Sequence, residues 1–184
     1  MTSDALAEFA SALCTGDSAR IADLDADARA RLQRFCRGYL GDVDAAEDAV
    51  QQVLARAATS KSRPSSPRAW ILTIARNHCL DLLRARGARP DAERLATNFD
   101  AARETAGPIT RLVGAERESD LARALESLST DERELLRLRY AEDLSRVEVA
   151  QLLGATEDVV KSRLYESLEK LRRILRERTR DGVI

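Results

Sequence analysis

A break in helical patterning near the middle of the chain is the feature that most constrains its fold. Residues 87–118 show no sustained hydrophobic period and contain two prolines and three glycines, residue types that interrupt helices. On either side of this stretch, apolar residues recur at helical spacing. We therefore predict an all-α protein with two small helical domains, residues 1–88 and residues 119–184, joined by a flexible linker over residues 89–118.

The composition agrees with a helical, core-forming protein. Of the 184 residues, 44% are hydrophobic, 33% are charged and only 4% are aromatic, which disfavours strands and favours helices. No apolar run approaches the roughly 18 residues of a membrane span, and the N-terminus lacks the basic start and apolar block of a signal peptide. We expect a cytoplasmic protein with no membrane insertion.

The cysteines and the single histidine give little support to an enzyme or a metal site. Cys14, Cys36 and Cys79 are widely spaced, and His78 adjoins Cys79 rather than lying at metal-ligand spacing. Neighbouring residues on a helix do not face one another, which disfavours a cysteine activated by His78. Since no glycine-rich phosphate loop occurs either, we expect no catalytic residue, no bound metal and no cofactor.

Apolar residues at helical spacing predict four helices before the linker. The first contains ALAEFASAL, and the second lies within Asp25–Leu40. Asp44, with Glu47 three residues later, resembles a capping box at the start of the third helix. The fourth follows a loop rich in serine and proline, with Ser66 as its N-cap.

The stretch VEVAQLLGATEDVVKSRLYESLEKL, residues 147–171, is typical of a helix-turn-helix. Ala150 supplies a small residue where two helices cross, and Gly154 supplies the turn. The apolar anchors on both sides would be Val149, Leu153 and Val160. Capping boxes at Ser129 and Ser145 begin the preceding helices, so the C-terminal domain is predicted to contain four helices.

The net charge of −1 conceals two basic islands. Residues 61–94 and residues 161–180 each carry eight basic and three acidic residues, while the remainder of the chain is acidic. This segregation indicates two sites for a polyanion and acidic surfaces for other proteins. A solvated basic face on a terminal helix is the alternative for the second island.

Three motifs, taken in order, resemble those of the extracytoplasmic-function (ECF) sigma factors, group 4 of the sigma-70 family of bacterial RNA polymerase. They are the acidic helix DAAEDAVQQVLARA, the segment PRAWILTIARNHCLDLLRARGAR, and the promoter-reading stretch from LESLSTDERELL to VKSRL. The resemblance covers about residues 5–175. It implies two helical domains and a non-enzymatic protein that directs core polymerase to specific promoters and promotes DNA melting.

The resemblance also implies which residues meet each partner. The clamp helices of the largest polymerase subunit would contact Asp44, Glu47, Asp48, Gln51 and Gln52. The −10 region of the promoter would contact Lys61, Arg63, Arg68, Arg76, Asn77, Arg84, Arg86 and Arg89, although Asn77 is equally suited to stabilising its own domain. The −35 region would contact Lys161, Ser162, Arg163, Glu166, Arg172 and Arg173.

Glu166 departs from the family pattern, which has a basic residue at that position. A carboxylate there either repels phosphate or accepts a hydrogen bond from N4 of cytosine. The sequence thus leaves two hypotheses: weak −35 binding compensated by the −10 domain, or a changed −35 preference.

Other partners and functions remain open at this level. The family implies contact with the polymerase flap and makes an anti-sigma factor plausible. The main alternative function is a stand-alone helix-turn-helix regulator that acts without polymerase. The acidic helix separates the two hypotheses, because such a regulator has no use for it.

Overall fold

The structure, a computed structural model, describes residues 5–61, 64–87 and 115–181. Every regular element in these ranges is helical, as the all-α prediction requires. The chain divides into two compact units, Met1–Pro90 and Asp91–Ile184. Most of the predicted linker, residues 89–114, lies outside the described residues.

The first unit is a bundle of four helices around an apolar core. Its elements are α1 (Ala5–Thr15), α2 (Ser18–Leu40), α3 (Val43–Thr59) and α4 (Pro67–Ala85). Helices α2 and α4 pack against each other and against both other helices. Phe35 and Tyr39 of α2 are buried, with ring centroids 5.3 Å apart. Alanine, leucine and other apolar side chains fill the rest of the inner faces, as in the closely packed cores of folded proteins.

Helix α2 begins seven residues before the predicted Asp25. Asp17 is its N-cap, and the side chain of Asp17 accepts a hydrogen bond of 3.1 Å from the backbone N–H of Arg20. Most residues of the first turns are exposed, so the sequence contains no apolar stripe that predicts this part of the helix. The predicted end at Gly41 is confirmed, since Gly41 adopts φ 71° and closes the helix.

The N-cap of α3 lies two residues before the predicted Asp44, and the capping box proposed at Asp44 is wrong. Asp42 is the N-cap, with its side chain accepting a 2.7 Å hydrogen bond from the backbone N–H of Ala45. Asp44 and Glu47 therefore lie inside the helix and are exposed. The predicted start of α4 is confirmed: Ser66 caps it by accepting from the N–H of Ala69.

The second unit also contains four α-helices in its described part. They are α5 (Ala115–Glu126), α6 (Thr130–Leu136), α7 (Arg146–Leu153) and α8 (Glu157–Asp181). The start of α5 falls inside the stretch predicted as linker. Both predicted capping boxes are present, at Ser129 with Glu132 and at Ser145 with Glu148.

A π-helical turn, Arg137–Ala141, extends α6 where the sequence indicated one continuous α-helix. Arg137 is buried, and its guanidinium lies 3.4 Å from the carboxylate of Glu142, which is also largely shielded. The backbone N–H of Glu142 in turn donates to the carbonyl of Arg137. This inward ion pair accompanies the wider turn, and it depends on tertiary packing that periodicity does not reveal.

Candidate functional site

One face of α3 presents acidic and amide side chains to solvent. Ala46, Ala49, Val53 and other small apolar residues point the opposite face into the core, and the spacing of three to four residues separates the two faces. The exposed side chains are Asp44, Glu47, Asp48, Gln51 and Gln52. The structure therefore brings all five predicted polymerase-contacting residues onto one surface, called here the α3 face.

Among the described residues, none compensates the carboxylates of the α3 face through an ion pair. Within the described part of the chain, no ion pair engages Asp44, Glu47 or Asp48. By contrast, Glu8 of α1 pairs with Arg20 of α2 at 2.6 Å. A negatively charged surface whose carboxylates are not held in internal ion pairs favours binding to a basic protein.

The predicted −10 residues divide by their surroundings. Lys61 and Asn77 are exposed, whereas Arg68 and Arg76 are partly buried and already engaged in polar or electrostatic contacts. Arg84 is exposed and pairs with Asp81 at 2.7 Å. The exposed Arg86 follows α4 directly. Arg63 and Arg89 lie outside the described residues.

Two further side chains of α4 belong to the fold. Trp70 is partly buried. His78 is buried; burial, followed by the positive charge of Arg56, lowers the pKa of His78, against the smaller opposing effect of Asp81. A histidine held neutral in this way suits packing better than a charged contact.

The helix-turn-helix is formed by α7 and α8. Gly154 ends α7 in the left-handed region at φ 65° and ψ 35°, a conformation that favours glycine. Val149, Ala150 and Val160 are buried as predicted. Leu153 is only partly buried, and its neighbour Leu152 is the residue that fills the core.

An ion pair connects the two helices of this motif. Arg146 at the start of α7 lies 3.2 Å from Glu157 at the start of α8. The N-terminus of α8 is further fixed by Thr156, whose hydroxyl accepts from the N–H of Val159 at 3.4 Å. These local contacts position the first turns of α8, the part of a recognition helix that meets base edges.

All six predicted −35 residues are exposed on α8. They are Lys161, Ser162, Arg163, Glu166, Arg172 and Arg173. Val160, Leu164 and Ser167 are buried on the other side of the helix. Two exposed residues on this surface, Tyr165 at 66% and Val159 at 40%, were not predicted. Their exposure could have been predicted from the sequence, because neither residue falls at the helical spacing of the buried Val160, Leu164 and Ser167.

The charged residues of α8 differ in how they are engaged. Arg172 pairs with Glu169 at 2.6 Å, and Lys170 pairs with Glu132 of α6 at 2.8 Å. Burial raises the pKa of Glu132, but hydrogen bonds from Lys170 and Ser129 and the charge of Lys170 outweigh it, so the pKa lies below its ordinary value. Glu166 enters no ion pair with any residue that the structure describes.

Two properties of the described residues bear on other classes of function. No group of three or more His, Cys, Asp or Glu side chains in these ranges is arranged to hold a metal ion. None of the described helices combines the length and apolar character needed to cross a membrane.

Comparison with known proteins assigns both units to one family. Residues 24–89 match the model of sigma-70 region 2, and residues 118–171 match that of sigma-70 region 4. The ECF RNA polymerase sigma factor SigL of Mycobacterium tuberculosis is 33% identical over 152 residues, covering 79% of this chain and 83% of that protein. The ECF RNA polymerase sigma factor SigK of Mycobacterium bovis is 27% identical over 165 residues, covering 86% of this chain and 87% of that protein.

Solved structures show the same fold. The sigma factor RpoE of Bartonella quintana, in complex with the anti-sigma factor NepR, has a TM-score of 0.54 and 27% identity, covering 80% of this chain and 91% of that one. CnrH, in complex with the cytosolic domain of CnrY, has a TM-score of 0.58 and 24% identity, covering 95% of this chain and 99% of that one. The motifs, the helical units and these likenesses agree, and the chain belongs to the ECF sigma factors of the sigma-70 family.

Proposed function

We propose that this chain binds core bacterial RNA polymerase in the cytoplasm, directs it to specific promoters and helps to open the duplex. Sigma factors are transcription initiation factors rather than enzymes, which accords with the family of the relatives. The observation that carries the proposal is the α3 face, a single-sign acidic surface in a chain that also contains a helix-turn-helix. A stand-alone regulator would need the second feature but not the first.

The α3 face is the proposed contact with the clamp helices of the largest polymerase subunit. Its three carboxylates and two amides are exposed along about two turns of helix. Because no ion pair inside the described chain neutralises the carboxylates, little internal attraction must be broken when a basic partner docks. Other surfaces are left for the polymerase flap.

The first unit is also the proposed −10 reader. Lys61 and Arg86 are exposed basic residues near the two ends of the segment that runs through α4, and Arg84 can exchange Asp81 for a phosphate. Arg68 and Arg76 would need to leave partly buried positions to do the same. We therefore assign the main backbone contacts to Lys61, Arg84 and Arg86, with Arg63 and Arg89 as further candidates outside the described residues.

Helix α8 is the proposed −35 reader. Lys161 and Arg163 lie on opposite flanks of its exposed surface, with Ser162 between them. Cations on the flanks can reach phosphates on either side of a groove, while the middle of the surface faces base edges. Arg172 and Arg173 lie more than two turns farther along and would contact phosphates only.

An anti-sigma factor is a further proposed partner. RpoE of Bartonella quintana is bound by one in its solved structure, and the likeness to this chain extends over four-fifths of it. Regulation by such a protein would work by covering the surfaces assigned above.

Binding to purified core polymerase tests the proposal. Reversing two carboxylates of the α3 face, Glu47→Lys with Asp48→Lys, should weaken core binding by roughly tenfold or more, because the new charges repel a basic partner. The matched control is Asp23→Lys with Asp27→Lys, two exposed carboxylates on α2 of the same unit. That control should bind core polymerase like the unaltered chain.

Transcription in vitro completes the test. The unaltered chain should confer promoter-specific initiation on core polymerase, and the α3 variant should not at equal concentration. Tight, specific DNA binding by the free chain, together with no association with core polymerase, would instead establish the stand-alone regulator.

A further inference from the structure

The acidic residues of α8 are not equivalent, although the sequence presents them alike. Glu157 is held by Arg146 at 3.2 Å, and Glu169 is held by Arg172 at 2.6 Å. Glu166 has Arg163 three residues before it, yet no ion pair of the described residues engages Glu166. Its carboxylate is therefore available to an external donor.

The position of Glu166 on the helix separates it from the phosphate-facing flanks. At 3.6 residues per turn, Lys161 and Arg163 lie about 160° apart around the helix axis, with Ser162 midway on the outer side. Glu166 lies about 40° from Ser162 and one turn farther along. It thus shares the outermost part of the surface, opposite the buried Val160 and Leu164.

A helix in the major groove directs its outermost residues at base edges and its flanks at the two phosphate backbones. A carboxylate is an acceptor only. In the major groove the exposed donors are N6 of adenine and N4 of cytosine, and cytosine offers its donor without an adjacent N7 acceptor that would repel a carboxylate. The chemistry at this position therefore fits cytosine best.

We propose that Glu166 determines specificity by accepting a hydrogen bond from the N4 amino group of one cytosine in the −35 element. The inference rests on the proposed function of α8 and narrows it to a base preference. Lys161 and Arg163 anchor the two phosphate backbones, which offsets the repulsion that a carboxylate meets in the groove.

Selection from a promoter library tests this base preference. The full chain is reconstituted with core polymerase, offered DNA randomised in the −10 and −35 regions, and the bound molecules are sequenced. The unaltered protein should favour cytosine at one −35 position by roughly tenfold. Glu166→Gln should shift that single position toward adenine, which glutamine recognises with two hydrogen bonds, and leave the other positions unchanged.

Glu169→Gln is the matched control, because Glu169 is of the same residue type on the same helix but is held by Arg172. Releasing Arg172 can change overall affinity, but it should alter no base preference. A second measurement removes the donor from the DNA: replacing the selected cytosine by pyrimidin-2-one, which lacks the N4 amino group, should weaken binding of the unaltered protein roughly tenfold. Glu166→Gln should be far less sensitive to the same replacement.

The outcomes separate this inference from the proposed function. If the unaltered holoenzyme selects no −35 element, the assignment of α8 fails, and the inference fails with it. If an element is selected but Glu166→Gln keeps every base preference, or raises binding of all sequences by one factor, Glu166 only repels phosphate. In that case the base preference is overturned, while the role of α8 stands.

Discussion

The two units of this sigma factor differ in where their charged side chains lie. In the described part of the first unit, the buried side chains are apolar apart from His78, and the charges of the α3 face stay outside. In the described part of the second unit, Arg133, Glu134 and Arg137 are buried. The first unit thus has a core independent of its charges, whereas the second builds charges into its core.

The difference indicates how substitutions should be interpreted. Reversing charge on the α3 face should change polymerase binding and leave folding intact, because those side chains are exposed and are not part of the core. In the second unit, a charge can serve folding, DNA binding or both, so affinity alone does not identify its role. Trp70, the single tryptophan, reports unfolding of the first unit, and far-UV circular dichroism reports both.

The largest effect on this contrast should come from Arg137→Ala. It leaves Glu142 without the guanidinium 3.4 Å away in a shielded site, which should cost the second unit about 3 kcal/mol in free energy of unfolding. Urea titration should show an early transition by circular dichroism and an unchanged one by Trp70 fluorescence. The control, Arg84→Ala, removes an exposed pair with Asp81 and should cost under about 0.5 kcal/mol. Equal losses for the two variants would contradict the contrast.

His78 should give the first unit its own response to acid. Its pKa is lowered in the folded state, first by burial and then by Arg56. The unfolded chain therefore binds a proton first as the pH falls below the ordinary value of 6.5, and stability present above that value is lost by up to about 1.4 kcal/mol per pH unit. Urea titrations followed by Trp70 fluorescence at several pH values measure this slope.

The variant His78→Leu should abolish that slope below pH 6.5, whatever it does to stability at neutral pH. Cys79→Ala, a change at the adjacent buried position, is the control and should keep the slope. A slope that persists without His78 would assign the acid response to another group.

Local features of both units could be predicted from the sequence, because they depend on residues three or four apart. The capping boxes at Ser129 and Ser145 and the helix end at Gly41 are examples. The same local logic failed at Asp44, since Asp42 lies two residues earlier and takes the N-cap. Two competing acidic residues cannot be ranked without knowing where the helix packs.

Features that depend on tertiary packing could not be predicted from the sequence. The π-turn accompanies the burial of Arg137 against Glu142. The motifs allowed site residues to be proposed and predicted that they are exposed. The sequence could not show which of their charged side chains are already held in ion pairs within the protein. Arg163 with Glu166 and Glu169 with Arg172 have the same spacing of three, yet only the second pair forms. The role of each proposed site residue stays a prediction for the binding experiments above.

Helix caps should contribute equally to the free energy of unfolding of the two units. The difference between the units would then be limited to how they place charged side chains. Ser145→Ala removes the cap of α7, and Asp42→Ala removes the cap of α3. Each should lower the free energy of unfolding of its own unit by about 1 kcal/mol. Amide hydrogen exchange with peptide-level resolution measures both in the intact chain. A loss confined to one of the variants would show that the units differ in helix stability as well.

The smallest effect should come from Lys170→Met, which removes the 2.8 Å ion pair with Glu132. Both side chains remain partly exposed, so the cost at pH 7 should be only about 0.5 kcal/mol. The pKa of Glu132 lies below its ordinary 4.5 in the folded state, so this contribution is present above pH 4.5 and is lost as the pH falls through the folded pKa. Thermal unfolding of the two proteins should therefore differ at pH 7 and converge in stronger acid. A difference that persists there would reflect lost packing of the lysine stem instead, and the second unit would then owe less of its stability to charge than its buried arginines indicate.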